Sequence, residues 1–561
     1  MNAPVPRRTG AQILVDALHV HGVDLAFGVP GESYLAVLDA LYDKRDVMRF
    51  VICRQEGGAA NMAEAYGKMT GRPGICFVTR GPGACNASIG VHTAFQDSTP
   101  LILFIGQVSN EVVEREAFQE VDYRRMFGQM AKWVAQIDRA DRVPEYISHA
   151  FHTAVSGRPG PVVLALPEDM QTDIASVPDA GRYQRVAAHP GPTQMSELRD
   201  MLAHAERPIV ILGGSGWNTQ ACEDFKAFAA TFNLPVACSF RAQDLLDNRD
   251  PHYVGEVAVG INPKLAERIR ASDLLIAIGA RLGEWTTLNY SLVEIPRPRQ
   301  RFVHIHAGAE ELGRVYQGEL LINAGMPEFA SAARALAPVR TLWDEWTEGA
   351  RADYEAWQKP VAVPGRVNMS EVLAYLRENL PPEAIVTNGA GNFSIWVHRF
   401  YRYTGFRTQL GPTSGAMGYG VPAAIAAKLV HPDRPVIAFA GDGDFLMTGQ
   451  ELATAAQYRL RVVFIVVNNG MYGTIRMHQE REYPGRVCGT ELTNPDFAAL
   501  ARAYGLHGEI VETTSAFGPA LERSMKAPGS ALLEIRIDPD AITPRTTLSA
   551  IRAEAMRTKA S

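Results

Sequence analysis

Residues 434–473 read RPVIAFAGDGDFLMTGQELATAAQYRLRVVFIVVNNGMYG, and their pattern decides the fold. Two apolar runs, 436–440 and 462–467, each end in a polar turn, with an amphipathic stretch between them. Short apolar runs bounded by Gly, Pro or Asn mark buried strands, and a helix between two of them marks a parallel pair. A right-handed crossover then delivers the carboxyl ends of both strands to one edge of the sheet. The first end is Gly441-Asp442-Gly443-Asp444 and the second is Asn468-Asn469. Glycines after a strand let main-chain N–H groups approach a phosphate, but two carboxylates there repel one. A divalent cation between them removes the conflict, because Mg2+ takes one or two carboxylates, neutral oxygens and the ligand's own phosphates. Asp442 suits that position, and Asn469, 27 residues on, brings an amide oxygen to the same edge.

The same alternation covers the whole chain, so the class is α/β. Several apolar runs start after an Arg-Pro pair: Arg72-Pro73, Arg158-Pro159, Arg207-Pro208 and Arg434-Pro435. Proline suits a strand's first residue, where a missing N–H does little harm. Two stretches, 176–193 (SVPDAGRYQRVAAHPGPT) and 357–368 (WQKPVAVPGRVN), lose periodicity and gather Pro, Gly and polar residues, as linkers do. At 561 residues the chain exceeds one core, and these linkers divide it in three. Each third holds a strand closed by a glycine turn, near Gly81, Gly213 and Gly441. Those turns are the predicted ligand sites, since open parallel sheets bind ligands at carboxyl ends. The first and last thirds share the order strand, Gly-Pro-Gly or Gly-Asp-Gly turn, helix, strand, which predicts a distant internal repeat.

A formal net charge of -6 gives no electrostatic reason to expect nucleic acid, so the predicted partner is a small molecule. Residues 1–10 hold two arginines without an apolar run, and no stretch of about 18 apolar residues occurs to span a bilayer. The sequence therefore predicts a cytoplasmic location and no membrane contact. Six scattered cysteines without a C-x-x-C pair predict small buried thiols instead of a zinc site or a disulfide framework.

Gly-Asp-Gly and Asn-Asn at this spacing resemble the thiamine-diphosphate-dependent enzymes. That resemblance implies that Asp442, Asn469 and the main-chain carbonyl of Met471 hold Mg2+, which holds the cofactor's diphosphate beside Gly443 and Asp444. Residues 49–90, RFVICRQEGGAANMAEAYGKMTGRPGICFVTRGPGACNASIG, resemble the pyrimidine-binding domain of the acetolactate synthase group. Glu56 matches that group's catalytic glutamate, whose carboxyl bonds the aminopyrimidine ring. Read alone, Glu56 opens a small-residue helix, where the dipole also favours an acid. NGAGNFSIW (388–396) and SGAMGYGVPAAIAAKLV (414–430) resemble the group's other cofactor-contacting stretches. They imply that Gly391 and Asn392 contact the diphosphate and that Met417, after Gly415, wedges the cofactor into a bent form; a methionine there is equally read as core filler. The resemblance runs from about residue 10 to the mid-530s and implies three doubly wound parallel-sheet domains. They are a pyrimidine-binding domain over 1–178, a middle domain over 190–345 and a diphosphate-binding domain over 365–561. It also implies a homodimer or homotetramer with the active site at the subunit interface.

The implied activity is that of a carboligase or lyase acting on a 2-oxo acid or related carbonyl donor. Phe118-Gln119-Glu120 copies the group's FQE, which points Gln119 at substrate, although Gln119 also reads as a solvated loop residue; Lys132 falls where the group carries a lysine. GARLGEW (279–285) keeps Arg281 but puts Trp285 where the group has an acceptor-binding arginine, and an indole cannot replace a guanidinium fork. Glu32 in GVPGES matches an acidic residue of 2-oxo acid decarboxylases, so a decarboxylase using Glu32 is the alternative reaction. A non-catalytic paralogue that binds thiamine diphosphate is the alternative of another class. His92 and His478 are the histidines nearest these motifs. VILGGSGWN (210–218) and Arg281 resemble part of the group's FAD site, while Gly128 and HIHAG (304–308) depart from it, leaving FAD, an ADP-like ligand or an empty domain open. Residues 470–494, rich in Gly and charge, predict a lid.

Overall fold

The computed structural model describes residues 6–560, which fall into two compact units, Met1–Val186 and Ala187–Ser561. The first unit is built on a six-stranded sheet in the spatial order Arg49–Ile52, Leu25–Gly28, Gly74–Val78, Leu101–Gln107, Pro161–Pro167, Trp133–Gln136. All its pairings are parallel. The three strands Gly74–Val78, Leu101–Gln107 and Pro161–Pro167 are buried at every residue, as sheets covered on both faces require. Phe77 and Phe104 stack with ring centroids 4.8 Å apart in this core. Burial of each such side chain contributes about 1.5–3 kcal/mol.

Helices Glu56–Thr70 and Gly81–Asp97 pack closely against each other because their shared face is made of glycine and alanine. A Cβ on Gly90 would lie 2.4 Å from the Cβ of Ala60, so a larger residue there drives the helices apart. This close approach brings Asn86, on one helix, within 2.9 Å of Glu56, on the other.

The second unit carries two more parallel sheets. One runs Tyr253–Val257, Val236–Ser239, Pro208–Leu212, Leu274–Ile278, Arg301–His306, Leu320–Asn323. The other runs Gln409–Leu410, Ile385–Asn388, Val436–Gly441, Val463–Asn468, Ala531–Arg536, His507–Val511. In chain order this last sheet reads second, first, third, fourth, sixth, fifth, the same permutation as the sheet of the first unit. The internal repeat expected from the sequence is therefore present as shared strand order, and all three sheets have the predicted parallel α/β form.

Residues 358–368 form no helix or strand, as their composition predicts, and Asn368 caps the following helix, Met369–Asn379. The helix before them, Asp344–Trp357, lays Tyr354 against the core of the central sheet, its ring centroid 5.0 Å from that of Tyr253. Among the described residues no helix is long and apolar enough to cross a membrane. The cysteine reading needs a correction: Cys53, Cys76, Cys222 and Cys238 are buried, but Cys85 and Cys488, on a helix surface and in a loop, are exposed.

Candidate active site

Strands Ile385–Asn388 and Val436–Gly441 are adjacent, and the chain leaves them in opposite directions across the sheet. This switch point opens a crevice at their carboxyl ends. Two segments meet there: 389–392, leading into helix Phe393–Phe400, and the turn at Gly441 that starts the short helix Asp442–Phe445. Gly391 has a φ of 150°, and Gly415, in the neighbouring turn, has one of 68°, both in the region that favours glycine. Met417 lies in that same turn, half-buried.

Asp442 and Asp444 are both almost fully buried. Asp442 Oδ1 accepts the Gly443 N–H at 3.0 Å, and Oδ2 accepts the Gly470 N–H at 2.9 Å and the Asn494 amide at 2.7 Å. A carboxylate offers about four lone-pair positions, so these three bonds leave one. Burial raises the Asp442 pKa, and the three hydrogen bonds oppose that rise. Asp444 behaves differently. Its Oδ1 accepts N–H groups from Ala390 at 3.2 Å and from Gly418 at 2.7 Å, tying both glycine-rich loops to one carboxyl. Its Oδ2 is buried without a hydrogen bond, and burial pushes the group up to about 7. Gly389 lets the loop approach so closely: a Cβ there would lie 2.2 Å from either Asp444 oxygen.

The two asparagines after Val463–Asn468 take different roles. Asn468 is structural, donating to Glu534 Oε1 at 2.9 Å and accepting from Gly470 N–H at 3.1 Å and the Asn494 amide at 3.0 Å. Asn469 is half-buried, and its amide oxygen accepts the Met471 N–H at a long 3.3 Å. Asn392 closes the other wall, accepting from the Thr474 hydroxyl at 2.9 Å and donating to Met477 Sδ. Sequence reasoning misses Asn494. Its amide oxygen is buried without a hydrogen bond beside Asp442.

These groups suit a small hard cation and an anionic ligand. A buried carboxylate and neutral amide oxygens are the kind of donors that Mg2+ takes, and the unpaired Asn494 oxygen beside Asp442 is one such acceptor. Softer metals are poorly served: among the described residues no group of three or more His, Cys, Asp or Glu could hold a metal ion.

In the first unit, Glu56 is the first residue of its helix, but it does not cap it. Gln55 does so, accepting the Gly58 N–H at 3.0 Å. That frees the Glu56 carboxylate, whose Oε2 accepts the Asn86 amide at 2.9 Å. Glu56 is half-buried above the sheet, and its charge adds to burial in raising the Cys76 thiol. Gln119 has a φ of 65°, and its carbonyl accepts the Gly81 N–H at 3.0 Å at the start of helix Gly81–Asp97. Glu120 holds the same loop, accepting the N–H groups of Glu114 at 2.7 Å and Ala117 at 3.0 Å.

Glu32 is exposed, 3.6 Å from the Arg80 guanidinium, which also pairs with Glu168. His92 is exposed on its helix, and so is His478, near Arg481. The Lys132 ammonium donates to the carbonyls of Thr153 and Ser156, at the end of helix Val143–Val155. Past the strands of the central sheet, Arg281 pairs with Glu311 at 3.3 Å, and Trp285 is half exposed beside Phe240. His304 and His306 are buried; the His304 ring bonds the Ala280 carbonyl, and burial lowers it to about 4. Segment 470–494 is no open loop. It contains helix Gly473–Glu482, whose fully buried Glu480 bonds Arg552 at 2.8 Å and Arg476 at 3.2 Å.

Comparison with known proteins matches three successive stretches of the chain. Residues 8–126 match the family model described as thiamine pyrophosphate enzyme, N-terminal TPP binding domain. Residues 195–333 match its central domain and 389–535 its C-terminal TPP binding domain. The acetolactate synthase large subunit of Parasynechococcus marenigrum is 32% identical, over 94% of this chain and 87% of its own length. The isozyme 2 large subunit of Escherichia coli is 30% identical over 94% and 95%, and the large subunit of Corynebacterium glutamicum 31% identical over 93% and 86%.

Proposed function

Since the chain belongs to the thiamine pyrophosphate enzyme family, among relatives of acetolactate synthase large subunits, we propose that it is a Mg2+-dependent carboligase acting on a 2-oxo acid or related carbonyl donor. The observation that carries this reading is buried Asp442, bonded to Asn494 whose amide oxygen is buried without a hydrogen bond, at a switch point between two loops that Asp444 holds together. When bound, thiamine diphosphate supplies the electron sink for a carbanion at the donor's carbonyl carbon.

The chain's own residues have three tasks. Asp442, Asn469 and the Met471 carbonyl would hold the cation, with Gly391, Asn392 and Gly415 lining the diphosphate. Met417 would offer an apolar surface to the cofactor. Glu56, oriented by Asn86, would hold a proton at its carboxyl and exchange it with the aminopyrimidine ring. Gln119, fixed by a left-handed backbone bonded to Gly81, would position the donor. The proposal includes a homodimer or homotetramer as the working assembly.

Glu56→Gln tests the mechanism. It should lower turnover about 10²–10⁴-fold, the range for loss of a proton-transferring side chain. Calorimetry should show Mg2+-thiamine diphosphate binding within a few-fold of wild type. Unchanged turnover would remove Glu56 from the reaction. Mass spectrometry of products from a panel of 2-oxo acids then separates the reactions: coupled products are expected, whereas free aldehyde alone would establish the decarboxylase and bring Glu32 forward.

A further inference from the structure

Arg241 lies just beyond strand Val236–Ser239 of the central sheet, yet its side chain reaches into the loops of the neighbouring sheet. Its Nη2 donates to the Gly389 carbonyl at 2.8 Å, and its Nη1 donates to the Pro412 carbonyl. These carbonyls lie just past the ends of strands Ile385–Asn388 and Gln409–Leu410. They belong to the same two loops whose N–H groups, at Ala390 and Gly418, are gathered by Asp444. A guanidinium therefore grips the loops through their oxygens while a carboxyl grips them through their nitrogens.

The arginine is itself held in place. Its φ of 61° is left-handed, which is unfavourable for a residue with a Cβ. Its own N–H donates to Glu256 Oε1 at 2.9 Å, and Glu256 Oε2 lies 3.3 Å from His398 Nδ1 on helix Phe393–Phe400. The far ring nitrogen of His398 meets Asn388 Oδ1 at 3.3 Å, and the Asn388 amide donates to the Gly389 carbonyl at 2.8 Å. Room for the side chain comes from Gly411, where a Cβ would lie 3.0 Å from Arg241 Cδ. Glu256 and His398 are both buried, so this network is shielded from water.

We infer that Arg241 is a positioning residue that pre-forms the diphosphate cradle, coupling the central domain to cofactor affinity through the Gly389 and Pro412 carbonyls. Planar fork geometry is what the role requires, because two carbonyls on separate loops must be bonded at once. Lysine offers a point charge in its place.

The inference rests on the proposed cofactor, and its test keeps the two distinguishable. Calorimetry of Mg2+-thiamine diphosphate with the wild-type protein comes first; absence of binding there would overturn both the cofactor reading and this one. With wild-type binding established, Arg241→Ala should weaken affinity by about 10–100-fold, the range for loss of an outer-shell partner of a metal site. Amide hydrogen exchange in the cofactor-free protein should accelerate at residues 389–392 and 411–418, and added guanidinium should restore part of the affinity. If Arg241→Ala does not fold, Arg241→Lys carries the test, with an expected loss of at least about fivefold. Affinity within twofold of wild type in the folded variant, together with unchanged exchange in both loops, would overturn the inference.

Discussion

Asp442 and Asp444 are two residues apart, equally buried, and differently used. Three donors surround Asp442, whereas Asp444 keeps one oxygen without a hydrogen bond. Burial lifts Asp444 to about 7, well above its ordinary value near 3.8, so the folded, metal-free protein binds this proton more tightly than the unfolded chain. The stability contributed is complete below about pH 4 and is lost as pH rises through about 7. That difference amounts to at most about 4 kcal/mol. Asp444→Asn mimics the neutral acid, keeps an acceptor for Ala390 and Gly418, and removes the titration. Chemical denaturation in the presence of a chelator should show stability of the wild type falling relative to Asp444→Asn between pH 4 and 7; parallel profiles would refute the assignment.

At the scale of elements, helix Gly473–Glu482 shows how a charged, glycine-flanked segment becomes ordered. Its sequence predicts a lid because charges dominate it, but one charge, Glu480, is buried and paired with two arginines. Arg552 comes from the C-terminal helix Leu548–Ala560, 72 residues away, and its guanidinium holds the Glu480 carboxyl down to about 2. Met477, Ile542 and Leu548 pack beneath. Removing one partner of a buried pair leaves an uncompensated charge. Glu480→Gln should therefore destabilise the protein by roughly 3 kcal/mol and open 470–494 to protease. Equal stability and an unchanged cleavage pattern would show that the terminal helix does not anchor this segment.

Asp442 and Asn469 are legible because one strand-helix-strand unit, with its regular periodicity, carries both. Asn494 is not, since it returns to Asp442 from 52 residues away through an irregular loop with no periodic signal. Lys132 bonds carbonyls at a helix end, a contact that its match to the group's lysine does not predict. Arg241 lies beyond sequence reading altogether, because its target carbonyls belong to another sheet, 148 and 171 residues on.

Across the whole molecule, repetition is the organising fact. The first and last sheets share one strand permutation, and each presents a glycine turn and a helix start at its carboxyl edge. They differ in the charge of that turn: Gly81-Pro82-Gly83 carries none, while Gly441-Asp442-Gly443-Asp444 carries two carboxylates. The uncharged turn lies near Glu56 and Gln119, and in the proposed function the charged one holds the cation. In the proposed function, divergence of two similar sheets separates proton control from anchoring of an anion.

The most direct test of the cation-anchored cofactor site is calorimetric titration of thiamine diphosphate into the full-length protein, with Mg2+ present or chelated, beside the variant Asp442→Ala. Saturable uptake by the wild type is expected, requiring Mg2+ and lost in Asp442→Ala, with both proteins folded by circular dichroism. Uptake that is independent of Mg2+, or undiminished in the variant, would contradict it.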